Sequence, residues 1–274
     1  LNSFDELNNI ENDLERKEII LCQNNIINQS QLLDHVKNNS RGEVIHLSAY
    51  PTLDDTLNGI ETGEVIVLAG ATGNGKTTFA RSLTHYFSDI NNPPLWFSLE
   101  MTPYRLLNSF GGQIPKFYVP KIIPRNININ WIEDHIIEAK EKYGVHIAII
   151  DHLHYIVDFA VIRNSISLAI GDTMRQLKLM AERHNIIIIL IAHTTKVRFD
   201  NKPDISDIRD SSFIQQEADT VLMIWRKAIF NDNEFKEYTS DCKIGVFKNR
   251  RIGTLKTIKM YYNYNLERIV EESC

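Results

Sequence analysis

A chain of 274 residues, 43% hydrophobic and 24% charged, has room for one large domain or two small ones and enough apolar side chains to bury a real core. Its net charge of −5 excludes a surface that is basic throughout, as a general nucleic-acid platform would be, and leaves only local basic sites open. The longest uninterrupted apolar run, Ile186 to Ala192, is far shorter than a membrane-spanning helix needs, and three scattered cysteines, Cys22, Cys242 and Cys274, form neither a disulfide framework nor a zinc motif, so a reducing, intracellular, by default cytoplasmic setting without a membrane is expected.

The sequence starts at Leu1 in place of Met, which suggests a processed product or a piece of something longer, and shows no charged-then-apolar leader. Residues 1–43 carry one amphipathic segment, Phe4 to Cys22, with Leu7, Ile10, Leu14 and the Ile19-Ile20-Leu21 cluster at roughly helical spacing; they read as a short N-terminal linker helix and tail. In residues 44–274 strands alternate with helices, which predicts an α/β fold with a mostly parallel central sheet flanked by helices. The strand candidates are Val65 to Ala69, Leu95 to Leu99, His146 to Ile150, Ile186 to Ala192, Thr220 to Trp225, Lys243 to Lys248 and Thr257 to Tyr262. Thr173 to His184, with Met174, Leu177, Met180 and Ala181 on one face, is the clearest helix, and His184-Asn185 is its expected stop. Between Lys243 and Lys259 lie six basic residues and no acid, which fits a solvated strand pair with basic outer faces or a local nucleic-acid contact.

The segment Gly70-Ala71-Thr72-Gly73-Asn74-Gly75-Lys76-Thr77-Thr78 fits G-x-x-x-x-G-K-[ST] in full and follows an apolar strand. Its glycines let the backbone turn tightly, so that successive N–H groups and the next helix N-terminus point at phosphate oxygens. Lys76 is placed to neutralise the β and γ phosphates of ATP or another nucleoside triphosphate, and Thr77 to offer its hydroxyl to Mg2+. Hydrolysis also needs a carboxylate for the metal and a group that orients or deprotonates water. Asp151 ends the apolar run HIAIID, where ligands of parallel sheets collect, and is the expected metal carboxylate. Glu100 stands where the strand LWFSL gives out and could polarise the attacking water. His193 follows the run Ile186 to Ala192 onto the same edge.

At these residues the chain resembles the RecA-type P-loop ATPase domain of the DnaB family of replicative DNA helicases, including its Twinkle and phage primase-helicase branch, from about Gly42 to Glu271. The most specific piece is Asp207-Ile-Arg-Asp-Ser-Ser-Phe-Ile-Gln-Gln-Glu-Ala-Asp219, which is similar to the family's D-L-R-x-S-x-x-I-x-Q-x-A-D. FSLEM around Glu100 and IIDHLHYI around Asp151 match its catalytic-glutamate and Walker B motifs, and Lys248-Asn-Arg250 matches its K-x-R pair. His154 and His193 stand where many bacterial members have Gln, the phage branch often having His at the second, and Ser212 replaces a usual Gly.

The resemblance implies roles. Glu100 becomes the general base, His193 the γ-phosphate sensor, and Lys248 and Arg250 trans-acting fingers that reach a neighbour's triphosphate. Tyr264 matches the position of a tyrosine that stacks on the nucleobase. Two segments, Asp158 to Ala169 and Thr195 to Arg209, would follow single-stranded DNA, with Arg163, Lys196, Arg198, Lys202 and Arg209 as the basic contacts. The implied protein is an ATP-dependent helicase motor working as a homo-oligomer, a hexameric ring, at the replication fork, with a primase domain or protein as a further partner. The alternative is a recombinase or loader-type ATPase that DNA stimulates without unwinding.

Overall fold

The computed structural model describes residues 28–30, 42–124, 127–157, 166–194, 202–208, 211–231 and 234–272. The chain divides into two units, Leu1–Glu43 and Val44–Cys274, and every element named here belongs to the second. The helix expected over Phe4 to Cys22 lies outside the described residues, as do Arg163, Lys196, Arg198 and Arg209.

The elements run β1 (Val44–Ile45), α1 (Pro51–Leu57), β2 (Ile60–Glu61), β3 (Val65–Gly70), α2 (Lys76–Asp89), β4 (Leu95–Ser98), α3 (Pro103–Ser109), α4 (Ile129–Tyr143), β5 (Ile147–Asp151), α5 (Ile166–His184), β6 (Ile187–His193), α6 (Ser211–Glu217), β7 (Thr220–Asn231), β8 (Glu234–Asn249), β9 (Thr257–Asn263) and β10 (Arg268–Glu271). Eight strands form one sheet in the order β10-β9-β8-β7-β3-β6-β5-β4. The run from β7 through β3, β6 and β5 to β4 is parallel, and β8, β9 and β10 extend it antiparallel.

Every residue of β3 is buried because the strand is covered on both faces, which is why it reads as a continuous apolar run rather than an alternating one. Ile66 and Leu68 pack into one layer with Leu53 and Leu57 of α1 and Phe79, Leu83 and Phe87 of α2. Val65, Val67 and Ala69 pack into the other, with Ile132 and Ile136 of α4, Met174 and Leu177 of α5, and Ile214 of α6. Phe79 and Phe87 are fully buried and each contributes roughly 1.5–3 kcal/mol of apolar burial, so α2 is anchored by its body and needs nothing from its first turn. That turn carries no side-chain cap. By contrast, α3 is capped by Thr102, whose side chain accepts from Arg105 N, and α4 by Asn128, whose side chain accepts from Trp131 N.

Several boundaries differ from the sequence expectation. β5 and β6 each lie one residue later, which makes Asp151 and His193 the last residues of their strands rather than the first beyond them. β4 stops at Ser98, where Leu99 N and Glu100 N both turn to the Asp151 carbonyl at 2.8 and 3.2 Å. α5 begins seven residues earlier, at Ile166, and stops at His184, with Asn185 at a φ of 49°. β7 and β8 are 12 and 16 residues long, twice and nearly three times the expected reach, and β10 was not expected. Lys243 pairs with Lys259 across β8 and β9, both exposed, giving the strand pair a basic outer face.

Candidate active site

The residues from Gly70 to Thr78 join β3 to α2. Gly73 and Gly75 have φ of 81° and 95°, a region that glycine enters without steric cost, and Gly75 stands at the N-cap of α2. A Cβ on Gly70 would lie 2.5 Å from the Ile224 carbonyl, so the loop leaves β3 pressed against β7. Lys76 is buried, and its ammonium donates to the Ala71 carbonyl at 3.1 Å. Burial pushes its pKa down from 10.5 to about 8 against the pull of Asp151 and Glu100. An ammonium held dry at the head of an uncapped helix is a site for polyphosphate.

Opposite the loop, the Thr77 hydroxyl donates to Asp151 Oδ2 at 3.2 Å. Asp151 Oδ1 is buried with no hydrogen-bond partner among the described residues. Burial, and after it Glu100, raises this carboxyl to about 6, with Thr77 and Lys76 opposing. A buried oxygen with free lone pairs beside a threonine hydroxyl is the donor set Mg2+ takes, so the residues fit a magnesium–triphosphate.

Glu100, half exposed, lies just past β4, with its Oε2 3.3 Å from His152 Nδ1 and 3.7 Å from His193 Nε2. The two imidazoles meet edge to face, with centroids 4.6 Å apart, and His152 also touches Tyr155 at 4.8 Å. Burial lowers the pKa of both histidines, with His193 next for His152 and Lys76 next for His193, and the Glu100 carboxylate opposes the shift in each. His193 pairs with Gly70 in register, and Thr194 N donates to the Gly70 carbonyl at 3.3 Å, so the end of β6 is tied to the loop. Asp151, Glu100, His193, Lys76 and Thr77 therefore converge on one edge of the sheet.

Lys248 and Arg250 do not join them. Met223 pairs with Ala69, but Lys248 pairs with Val221, and Arg250 N donates to the Asp219 carbonyl at 2.8 Å, while Asp219 N donates to Val65 O at 2.9 Å. Arg250 thus stands level with the start of β3, roughly 17 Å along the strand from Gly70 at about 3.3 Å per residue. Lys248 donates to the carbonyls of Gln215 and Gln216, and burial lowers its pKa. Arg250 donates to Gln216 O and pairs with Asp219 Oδ1 at 3.2 Å. Asp219 also accepts from Val65 N and from Lys178, each at 2.8 Å.

Tyr264 lies in the turn between β9 and β10, 68% exposed, with its ring edge-on to Tyr262 at 5.0 Å. That turn leads into β10, which lies against α2: Ile269 N donates to Ser82 Oγ at 2.9 Å. Lys202 is exposed, with its ammonium 5.1 Å from the Phe247 ring centroid.

Three site residues were missed in the sequence. His152 follows Asp151 directly, but its meeting with Glu100 and His193 depends on the lateral order of β4, β5 and β6. Arg226 and Tyr238 had no signal in the sequence. Beyond Met223, β7 overshoots the end of β3, so Arg226 N reaches Asn74 Oδ1 at 3.0 Å, and the Tyr238 ring lies 3.0 Å from where a Cβ on Gly73 would sit. The Arg226 guanidinium is 5.6 Å from the Tyr238 centroid.

A family model described as the DnaB-like helicase C terminal domain matches residues 47–111 and 117–271. The chain is 24% identical to a probable replicative DNA helicase of Trieres chinensis, over 88% of this chain and 61% of that protein. It is 25% identical to the replicative DNA helicase DnaB of Buchnera aphidicola subsp. Baizongia pistaciae, over 76% and 52%, and 24% identical to that of Haemophilus influenzae, over 88% and 58%. It therefore spans little more than half the length of these curated relatives. Among solved structures, a chain described as an ATPase domain superposes with a TM-score of 0.72 at 19% identity, covering 89% of this chain and 97% of that one. A DnaB-like replicative helicase described with its interactions with primase gives the same score and identity, covering 89% and 66%. Both share the RecA-like fold.

Proposed function

The chain belongs to the DnaB-like helicase C-terminal domain family, and from that premise we propose that residues 44–274 are the motor domain of a replicative DNA helicase, with residues 1–43 as a linker. It hydrolyses ATP or another nucleoside triphosphate with Mg2+ at interfaces between identical subunits, moves on single-stranded DNA and separates duplex. The observation that carries this reading is the division of the charged residues. Lys76, Asp151, Glu100 and His193 share one sheet edge, while Lys248 stands level with Val67, about 10 Å back along the strand, and Arg250 level with Val65, about 17 Å back. In their own subunit the two cations serve no triphosphate, so the complete site requires a neighbour.

In this scheme Lys76 and the first turn of α2 hold the β and γ phosphates, and Thr77 with Asp151 holds Mg2+, which neutralises phosphate charge when bound. Glu100 takes the proton of the attacking water. His193, tied to Gly70, relays the state of the γ-phosphate into the segment that follows it. Arg250 and Lys248 of an adjacent subunit stabilise the charge that develops on phosphoryl transfer. Tyr264 stacks on the base. Arg163, Lys196, Arg198, Lys202 and Arg209 follow the DNA backbone. The assembly is a hexameric ring that acts inside the cell at the replication fork and meets a primase there.

ATP hydrolysis with and without single-stranded DNA, together with the mass of the nucleotide-bound assembly, tests the motor. A monomer whose turnover ignores DNA sinks it. Mixing Lys76→Ala with Arg250→Ala tests the divided site: each alone is inactive, and mixed rings regain part of the turnover at interfaces where an intact loop meets an intact finger. Full assembly of the mixture with no recovery overturns it.

A further inference from the structure

We propose that Glu100, His152 and His193 form a three-ligand site for a divalent transition metal of the zinc class, separate from the magnesium position at Thr77 and Asp151. The three donors come from the ends of three adjacent parallel strands, β4, β5 and β6, whose spacing of about 4.8 Å brings strand-end side chains within reach of a common point. One ligand atom from each lies within 4.8 Å of the other two. Ligands on tetrahedral zinc at about 2.0–2.2 Å are separated from one another by roughly 3.3–3.6 Å. The carboxylate meets that spacing to His152, at 3.3 Å, and is within about 0.1 Å of it to His193, at 3.7 Å. Closing the remaining imidazole pair takes a small side-chain rotation, which the partly exposed His193 and Glu100 allow.

The frame is preorganised. The Asp151 carbonyl accepts from the backbone N–H of Glu100, fixing one ligand against the strand that delivers the next. His152 is held edge-on by Tyr155, and His193 by its register with Gly70. Two imidazoles and one carboxylate are the donors that zinc, cobalt and nickel favour and that magnesium does not. With three protein ligands, the fourth position is left for water or a phosphate oxygen. The site itself rests on this geometry alone. Its consequence rests on the function proposed for Glu100: a carboxylate ligated to zinc takes no proton from water, so micromolar zinc reversibly stops turnover.

Titration of the full chain with Zn2+ and with Co2+, without nucleotide at pH 7.5, tests the site. One equivalent binds, and cobalt gives the intense visible bands of tetrahedral coordination. His152→Ala and His193→Ala each weaken binding at least tenfold, and His46→Ala, on an exposed surface elsewhere, leaves it unchanged. If either histidine variant loses its far-ultraviolet circular dichroism, Glu100→Gln, at a half-exposed position, takes its place with the same expectation. Folded variants that bind zinc as the parent does, or an octahedral cobalt spectrum, overturn the site. Zinc that binds as described while hydrolysis continues leaves the site standing and removes the proposed role of Glu100.

Discussion

Replacing Asp151 by Asn removes a buried carboxylate from the foot of the site. In the folded chain that carboxyl titrates at about 6 rather than 3.8, because burial and the nearby Glu100 oppose its ionisation more than Thr77 and Lys76 support it. A carboxyl with a raised folded pKa holds its proton more tightly in the native state. Stability therefore falls as pH climbs from the unfolded value to the folded one, and the loss is complete above the latter. At about 1.4 kcal/mol per unit, the raised pKa of Asp151 costs between about 1 and 2 kcal/mol at pH 5, where the folded chain still holds the proton, and about 3 kcal/mol at pH 7.5, where it does not. Asn does not titrate, so whatever constant the amide adds cancels between the two conditions. The stability gap between Asp151→Asn and the parent chain is expected to move by roughly 1–2 kcal/mol in favour of the variant from pH 5 to pH 7.5. Urea unfolding followed by tryptophan fluorescence, in metal-free and nucleotide-free buffer, measures both gaps. A gap that stays flat, or that moves the other way, refutes the reasoning. Added Mg2+ and nucleotide should stabilise the parent and not the variant.

Three further outcomes are expected. Gly70→Ala drives a Cβ into the Ile224 carbonyl and should cost roughly 1–3 kcal/mol in thermal or urea unfolding, whereas Gly112→Ala, with nothing within 4 Å, should be neutral or slightly stabilising. Equal effects of the two would show that the β3–β7 approach is not tight. Asp219→Ala leaves Val65 N–H without its buried acceptor, while Lys178 keeps Glu182 and the Gly63 carbonyl, and should cost roughly 1–3 kcal/mol by chemical denaturation, more than Arg250→Ala. Tyr264→Ala, at an exposed turn, should leave the melting temperature almost unchanged. It should weaken nucleotide binding about fivefold or more, from roughly 1 kcal/mol of base stacking; unchanged affinity by fluorescence titration removes the stacking role.

The parallel half of the sheet was readable because it obeys a local rule. Each buried strand is a short apolar run, and the polar residue that ends it is delivered to the edge where the loops lie, so Glu100, Asp151 and His193 could be picked out beside Gly70 to Thr78 from sequence alone. The error there was a single residue at β5 and β6, since Asp151 and His193 still make ladder contacts that apolarity does not report. The antiparallel half obeys no such rule. β7 and β8 carry charged and apolar residues together, and their extension is set by pairing with each other across bulges rather than by either pattern. Everything that depends on that pairing was hidden: Arg226 and Tyr238 over the loop, and Lys248 and Arg250 resting on α6 and Asp219. His152 was hidden for a different reason, because only the lateral order of β4, β5 and β6 makes it a neighbour of both Glu100 and His193.

The way Asp219 shares its two oxygens has a consequence for how Arg250 behaves. One oxygen serves Val65 N–H and Lys178, both well shielded, and the other serves Arg250, whose side chain is 47% exposed. Pulling the guanidinium away leaves the carboxylate still neutralised, so nothing inside the domain collapses when it departs. An ion pair as open to water as this one is worth about 1 kcal/mol or less. Arg250 is thus parked rather than locked: oriented while the subunit is alone, and released at little cost when a stronger anion is offered from outside.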